Sequence, residues 1–555
     1  MIGPIQKNYQ PLFYTAWIFI GLLQAYSTEL LDDEAYYWVF SRFLDWGYFD
    51  HPPMTGLLIK AGYSLFPNEL GVRLLIVLLS TSTIFLCEKL LEKKEQVLFY
   101  VICLSMAVLQ IGGFLAVPDI PLMFFTALFF LCYKRFVANA SLSNTLLLGL
   151  VTSFMLYSKY HAVLIILFSL LSNISLLKKW QTYIAGLIAL LLFVPHLFWQ
   201  YQHNWISFRY HLFESNVNPY KVSYTTEYIL GQLLLAGPIT GFIFWWATIK
   251  HVPKSLTERA LKFTAIGIFI FFLISSFRGR VEANWTAPAI IPIMVLSHQY
   301  LQDHIRWRKW TYKLLPVTII LVLAIRIVIV FDVVPAKAVA ERFHQYKNWP
   351  EEFKQKTKGL PIVFNSSYQK ASKYWFYSGQ PSLSLNDYKR RRNNYNFWPI
   401  EDSFFARPVY IVDPEVPALH IDSMQTPLGN LHYSLDSNFY SFGKLMFVPE
   451  KKEYILNEHE SLLLHAKLIV PDRYTQLLGK SSMGKYPIKI GVFNQQKWLQ
   501  DIDPGIYLNE VISNKTLEVP INLALLKGTY YLRFAILSDA GWYTHNSEKI
   551  RLTVK

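Results

Sequence analysis

The chain has 555 residues, of which 53% are hydrophobic, 16% aromatic and only 16% charged, with a formal net charge of +15. A soluble domain carries about 25% charged residues, and here the deficit is confined to residues 1 to about 333, where one apolar run follows another. That pattern excludes a wholly soluble protein. The positive charge is not a nucleic-acid signal, because many of the cations sit in short loops between apolar runs, where they set membrane orientation.

The first apolar run, residues 11–27, has no convincing small-x-small cleavage site and is followed at once by acidic residues. It reads as an uncleaved first span rather than a signal peptide. Further candidate spans are 71–90, 97–113, 118–135, 144–158, 161–177, 182–199, 229–249, 261–277, 283–299 and 311–333, about eleven in all when judged against the ~20 apolar residues a membrane helix needs. Cys87, Cys103 and Cys132 all fall inside such runs, as small buried apolar residues rather than a disulfide framework.

Orientation follows from the basic loops. Lys89/Lys93/Lys94, Lys134/Arg135, Lys178/Lys179, Lys250/Lys254/Arg259 and Arg306/Arg308/Lys309 all fall on one side if residues 144–177 form two short helices turning at 158–161. A single long helix there would scatter them. With the basic side cytoplasmic, residues 28–70, 201–228, the turn at 278–282 and everything after 333 are extracytoplasmic.

The outer segments carry the chemistry-bearing residues. Between the first two spans, Asp32-Asp33-Glu34-Ala35-Tyr36-Tyr37-Trp38 runs on through Asp45 to Gly47-Tyr48-Phe49-Asp50-His51-Pro52-Pro53. Ionisable groups held near bilayer depth are costly and mark function. Asp119 opens a helix and suits an N-cap or a site carboxylate equally. Lys159 can snorkel to the interface or serve a ligand. Arg209 and His211 lie in the second large outer loop, and Arg278, Arg280 and Glu282 interrupt two apolar runs. Outer cations run against the positive-inside bias, and an anionic phosphate is their natural partner.

Carboxylates and phosphate-binding cations on one membrane face suit sugar transfer from a polyprenyl phosphate. A carboxylate would take the acceptor proton and cations would steady the leaving phosphate at an oxocarbenium-like sugar carbon. The chain has no Walker A loop, Rossmann fingerprint or Gly-x-Ser-x-Gly elbow. A transporter or flippase for a lipid-linked sugar is the main alternative. Such proteins place binding groups near the midplane in repeated halves, whereas these polar groups cluster at one face. A membrane-anchored, polysaccharide-binding scaffold would leave the acidic first loop unexplained.

Asp-Glu-Ala-Tyr-Tyr-Trp at 33–38, Gly-Tyr-Phe-Asp-His-Pro-Pro at 47–53, Pro-Asp-Ile-Pro-Leu at 118–122, Ser-Lys-Tyr at 158–160 and Val-Glu-Ala-Asn-Trp at 281–285 occur in that order. The chain thereby resembles the GT-C superfamily of integral-membrane glycosyltransferases, in particular the bacterial branch related to protein O-mannosyltransferases and the lipid A aminoarabinose transferase. The resemblance extends into Tyr368–Pro399. It implies that Asp33 is the catalytic base with Glu34 beside it, and that Asp119 is the second acidic position. It also implies that Asp50-His51-Pro52-Pro53 stands where relatives have a Glu-Lys-Pro-Pro donor-phosphate element. His51 replaces that lysine and is only partly charged near neutral pH, so Lys159 and Arg209 are expected to supply charge. Some relatives hold a divalent metal near these acids; here the metal is left open.

The resulting expectation is a bacterial inner-membrane, multi-pass, mainly α-helical enzyme. Its donor is a polyprenyl-phosphate sugar, and its acceptor a lipid, glycan or protein hydroxyl. Residues 1–333 form the catalytic membrane domain. Residues 334–449 form an α/β domain with strands at 360–364 and 408–412 and a helix near 367–377. Residues 450–555 form a β-sandwich-like domain, with strand runs at 461–469, 486–493, 528–537 and 550–554.

Overall fold

The computed structural model describes residues 9–215, 219–331, 333, 342–415, 420–458, 460–478, 486–495, 497–521 and 525–555. It divides into two compact units, residues 1–344 and 345–555.

The first unit is helical. Its helices are α1 (Gln10–Ser27), α2 (Asp32–Arg42), α3 (Met54–Tyr63), α4 (Glu69–Leu90), α5 (Gln96–Ser105), α6 (Asp119–Ala138), α7 (Leu142–Ser158), α8 (Ala162–Ser172), α9 (Trp180–Gln202), α10 (Ile206–Arg209), α11 (Val222–Ala236), α12 (Gly241–Lys250), α13 (Leu256–Ser275), α14 (Ile290–Asp303) and α15 (Ile305–Phe331). Among the described residues four of these, α4, α6, α9 and α15, are long and apolar enough on their own to cross a membrane. The three cysteines are free and buried.

Several elements differ from the sequence expectation for physical reasons. The first polar segment is mostly helix, because residues 34–41 of α2 are all buried and its aromatics pack inward. The apolar run 229–249 is broken: α11 and α12 meet at an angle of 92°. Gly237 stands at the corner with φ +156°, a conformation only glycine adopts readily. A Cβ there would lie 2.8 Å from the Ser105 carbonyl oxygen and 2.4 Å from Thr240 Oγ1. Residues 97–113 end their α-helix at Ser105 and continue through a π-turn at Val108–Gly112. Residues 283–289 form a 3₁₀ segment before α14. The turn between α7 and α8 falls at 159–161, as the basic-loop argument requires.

The second unit begins with helices α16 (Trp349–Lys356) and α17 (Tyr368–Ser378) and a five-stranded mixed sheet. Its strands are β1 (Ile362–Asn365), β2 (Ser382–Leu385), β3 (Arg407–Val412), β4 (Asp422–Thr426) and β5 (Gly429–Phe439), in the order β2-β1-β3-β5-β4. β1 pairs in parallel with β2 and β3, and β5 antiparallel with β3 and β4. α17 follows β1 and leads into β2, the crossover that parallel strands need.

Two further sheets share one apolar core, in which Leu464, Leu468 and Val519 meet Ile490, Val492, Leu532 and Leu552. One contains β6 (Met446–Pro449), β8 (Leu462–Ile469) and β11 (Thr516–Ile521). The other contains β7 (Glu453–Leu456), β9 (Ile488–Asn494), β10 (Lys497–Ile502), β12 (Gly528–Ile536) and β13 (Ile550–Val554). Burial alternates along β8 and β11, the period-2 signature of a half-buried strand. Glu401, fully buried, accepts from Ser441 Oγ and Gly443 N, and burial pushes its carboxyl up.

Candidate functional site

The best-defined feature of the first unit is a completely buried ion pair between Glu34 and Arg73. Arg73 Nε donates to Glu34 Oε1 at 2.8 Å and Nη2 to Oε2 at 2.5 Å, the bidentate geometry that suits guanidinium and carboxylate. The remaining oxygen sites of Glu34 accept from Leu31 N (2.9 Å) and Ala116 N (2.7 Å). The first of these is one half of a capping box at the start of α2.

The other Arg73 donors reach Ala25 O, Thr28 O, Thr28 Oγ1 and Glu29 O at 2.7–3.1 Å. The end of α1 carries carbonyls with no partner inside the helix, and Arg73 supplies donors there. Arg73 of α4 therefore fastens the end of α1 and the start of α2, and Glu34 takes up the segment before α6. Glu34 is engaged on every side; it holds the site together and has no oxygen left for a proton in flight. Its neighbour Asp33 is exposed on the first turn of α2.

A second ion pair stands at the start of α6. Lys159 Nζ lies 2.7 Å from Asp119 Oδ1, both side chains 6% exposed, and Asn284 Nδ2 donates to Asp119 Oδ2 at 3.0 Å. Three motifs far apart in sequence, around residues 119, 159 and 284, thus converge on one carboxylate. Lys159 has its charge balanced by Asp119, which sequence alone did not reveal. Beside them His161, the residue before α8, packs its ring near Phe272 (5.2 Å) and Trp285 (5.9 Å).

The segment Trp46–His51 is pinned from several directions. His196 Nδ1 lies 2.7 Å from Trp46 O; a carbonyl only accepts, so Nδ1 carries the hydrogen and Nε2 accepts from Tyr160 Oη at 3.1 Å. Gln200 Nε2 donates to Tyr160 Oη (3.0 Å) and Ser207 Oγ (2.6 Å), and Ser207 Oγ donates to Tyr48 O (2.7 Å). His211 Nε2 donates to Asp50 O at 2.8 Å. Gly47 is required here, since a Cβ would lie 2.5 Å from the Trp199 ring.

Asp50 is buried, and the His51 ring lies 5.5 Å from Tyr37 and 6.4 Å from His211. Tyr160 and His211 approach to 5.4 Å. Arg209, half-buried, sits on α10 two residues before His211. The rings of His51, Tyr160, His196 and His211 thereby form one cluster.

Arg278, Arg280 and Glu282 stand apart from both pairs. Arg280 faces Glu227 and Glu282 at 3.5 and 3.6 Å with all three side chains more than half exposed, the kind of surface pair that contributes little. Arg278 is exposed. Asp45 accepts from the Trp199 indole at 2.8 Å. Among the described residues, no three His, Cys, Asp or Glu side chains gather as a metal site would require. Glu34 and Asp119 are here bound to Arg73, Lys159 and Asn284.

Arg73, Asn284, Tyr160, His196, Gln200 and Ser207 were not singled out from the sequence. Arg73 carried a usable signal, a lone cation within an apolar span. Tyr160 and Asn284 stood inside the Ser-Lys-Tyr and Val-Glu-Ala-Asn-Trp motifs, and His196, Gln200 and Ser207 carried no signal, because their partners are distant in the chain.

Residues 50–199 match the family described as dolichyl-phosphate-mannose-protein mannosyltransferase. Crystal structures of ArnT from Cupriavidus metallidurans superimpose with TM-scores of 0.55 (bound to undecaprenyl phosphate) and 0.57 (apo), at 14% and 13% identity. They cover 77% of this chain and 98% and 97% of theirs. The fold is that of ArnT.

The lipid A galacturonosyltransferase RgtD of Rhizobium johnstonii is 23% identical over 320 residues, or 54% of this chain. The chain spans 65% of that curated relative's length. The chain resembles the GT-C glycosyltransferases of the protein mannosyltransferase and ArnT type, as the five sequence motifs implied. In the ArnT fold seen here, α2, the segment before α3, the start of α6, the α7–α8 turn and the 3₁₀ segment before α14 carry those motifs.

Proposed function

We propose that this protein transfers a sugar from a polyprenyl-phosphate-linked donor to an acceptor hydroxyl of a lipid, glycan or protein, on the extracytoplasmic face of a bacterial inner membrane. The observation that carries the reading is the division of labour among the motif carboxylates. Glu34 and Asp119 are locked in buried ion pairs, whereas Asp33 is exposed on the first turn of α2.

In this reading Asp33 takes the proton from the acceptor hydroxyl as its oxygen bonds to the sugar carbon, and the lipid phosphate leaves with the electrons of the broken bond. Arg209, with His51 and His211, steadies the departing phosphate. Lys159 and Asn284 orient Asp119, and Glu34 with Arg73 fixes the backbone that carries Asp33. The exposed Arg278, Arg280 and Glu282 have a lesser part, at the rim.

The donor class is supported by the ArnT structure whose described ligand is undecaprenyl phosphate, and the transfer chemistry by the resemblance to RgtD. About eleven spans with the five basic loops cytoplasmic complete the reading. Residues 1–333 then hold the site, with 334–449 as an α/β domain and 450–555 as a β-sandwich-like domain outside.

The test is transfer by the purified full chain in detergent, with a panel of polyprenyl-phosphate sugars and envelope lipids or glycans as acceptors. Turnover without any membrane gradient supports an enzyme. Donor binding without turnover under every combination, together with gradient-dependent movement in vesicles, would instead support a flippase.

A further inference from the structure

Away from the motif residues, α1, α5 and α15 line an open groove of about 500 Å³, within the ~300–1,000 Å³ of typical small-molecule sites. Its walls are apolar, with Trp17 and Ile20 from α1 and Val101 and Leu104 from α5, while Gln110 and Arg326 are its polar members. Arg326 is the sole ionisable residue between Leu314 and Phe331, the apolar part of α15.

Arg326 Nη2 donates to the backbone and side-chain oxygens of Gln110. Nε and Nη1 are buried and have no hydrogen-bond partner among the described residues. No carboxylate pairs with this guanidinium in the ion pairs among the described residues, in contrast to Arg73 and Lys159. An unpaired cation at membrane depth is expensive, and such residues mark binding sites or pathways. Retaining it implies an anion from outside the chain.

We infer that this groove binds a membrane lipid carrying a phosphate, with an acyl or prenyl chain along α1 and α5. Arg326 turns from Gln110 to pair with the phosphate. The apolar walls match a hydrocarbon chain, and the guanidinium matches a phosphate better than any neutral headgroup through its paired N–H donors. The site is separate from the Asp33, Asp119 and Lys159 residues and does not depend on the sugar-transfer reading.

Native mass spectrometry of the full chain in detergent tests this, using phosphatidylglycerol, undecaprenyl phosphate and diacylglycerol as probes. At least one phosphate lipid should be retained about tenfold or more better than diacylglycerol, as charge-assisted hydrogen bonds imply. Arg326→Gln should bind one phosphate lipid fewer per chain. Ile20→Trp, which fills the groove and leaves Arg326 in place, should do the same and carries the test if the first variant does not fold.

Loss of phosphatidylglycerol identifies a bilayer phospholipid as occupant; loss of undecaprenyl phosphate alone identifies a prenyl lipid. Unchanged phosphate-lipid stoichiometry in Ile20→Trp, or equal retention of diacylglycerol by the parent, overturns the inference.

Discussion

Replacing Glu34 by Gln should damage the protein far more than replacing its neighbour Asp33 by Asn, although both changes remove one carboxylate charge. In the parent, both Glu34 oxygens accept, one from Arg73 Nε and Ala116 N, the other from Arg73 Nη2 and Leu31 N. An amide keeps one oxygen and turns an NH2 toward two donors, so half of the contacts become repulsive. Arg73 is left as a buried charge with no counter-ion, a situation that costs about 3–5 kcal/mol.

Neither partner has solvent access, so water cannot rescue the loss. Arg73→Ala should cost a similar amount and free the carbonyls at the end of α1 as well. The double variant Glu34→Gln/Arg73→Met should be less destabilised than the sum of the singles, because each single strands the other's partner. The assay is the fraction of monodisperse protein surviving a temperature ramp in detergent, read by size-exclusion chromatography. Unfolding midpoints equal to the parent for Glu34→Gln, or strict additivity in the double variant, would refute the reasoning.

Asp33→Asn should leave that thermal profile unchanged while lowering kcat/KM of sugar transfer roughly 10²–10⁴-fold, the usual share of a general base; full activity would move the base to another residue. Lys159→Ala should both slow transfer and destabilise, because it strands the buried Asp119, whereas Asn284→Ala should cost only about 1–3 kcal/mol of stability, as for one unmade buried hydrogen bond; both are read by paired activity and thermal-survival measurements. Arg280→Gln should lower kcat/KM only slightly and leave thermal survival unchanged, its partners being exposed. In the second unit, burial followed by repulsion from Asp436 raises the Asp539 carboxyl to about 6. The folded chain then binds that proton more tightly than the unfolded chain, so stability falls as pH rises from about 4 to about 6, and the penalty persists above that. Asp539→Asn should flatten this dependence in the hydrogen-exchange protection of residues 436–440, measured in the intact protein and corrected for intrinsic exchange.

Hydropathy determined the helical first half and the strands near 362, 409, 464, 490, 532 and 552, because burial writes a period into sequence wherever an element faces one core, and the basic loops determined the turn at 159–161. The order of the five motifs likewise carries the GT-C resemblance without reference to geometry. Tertiary structure decided the rest. Gly237-Pro238 marks a break locally, but the 92° angle between α11 and α12 and the crowding of Gly237 by Ser105 belong to the folded chain. Residues 32–42 read as a polar loop because their carboxylates come first, yet their aromatics are buried and make a helix. Most of all, adjacent acids that look alike in sequence acquire different roles through partners 39 or 82 residues away: Glu34 meets Arg73 and Ala116 N, while Asp33 stays exposed. A carboxylate's chemistry is set by the donors packed around it, and those donors are brought together only when the chain folds.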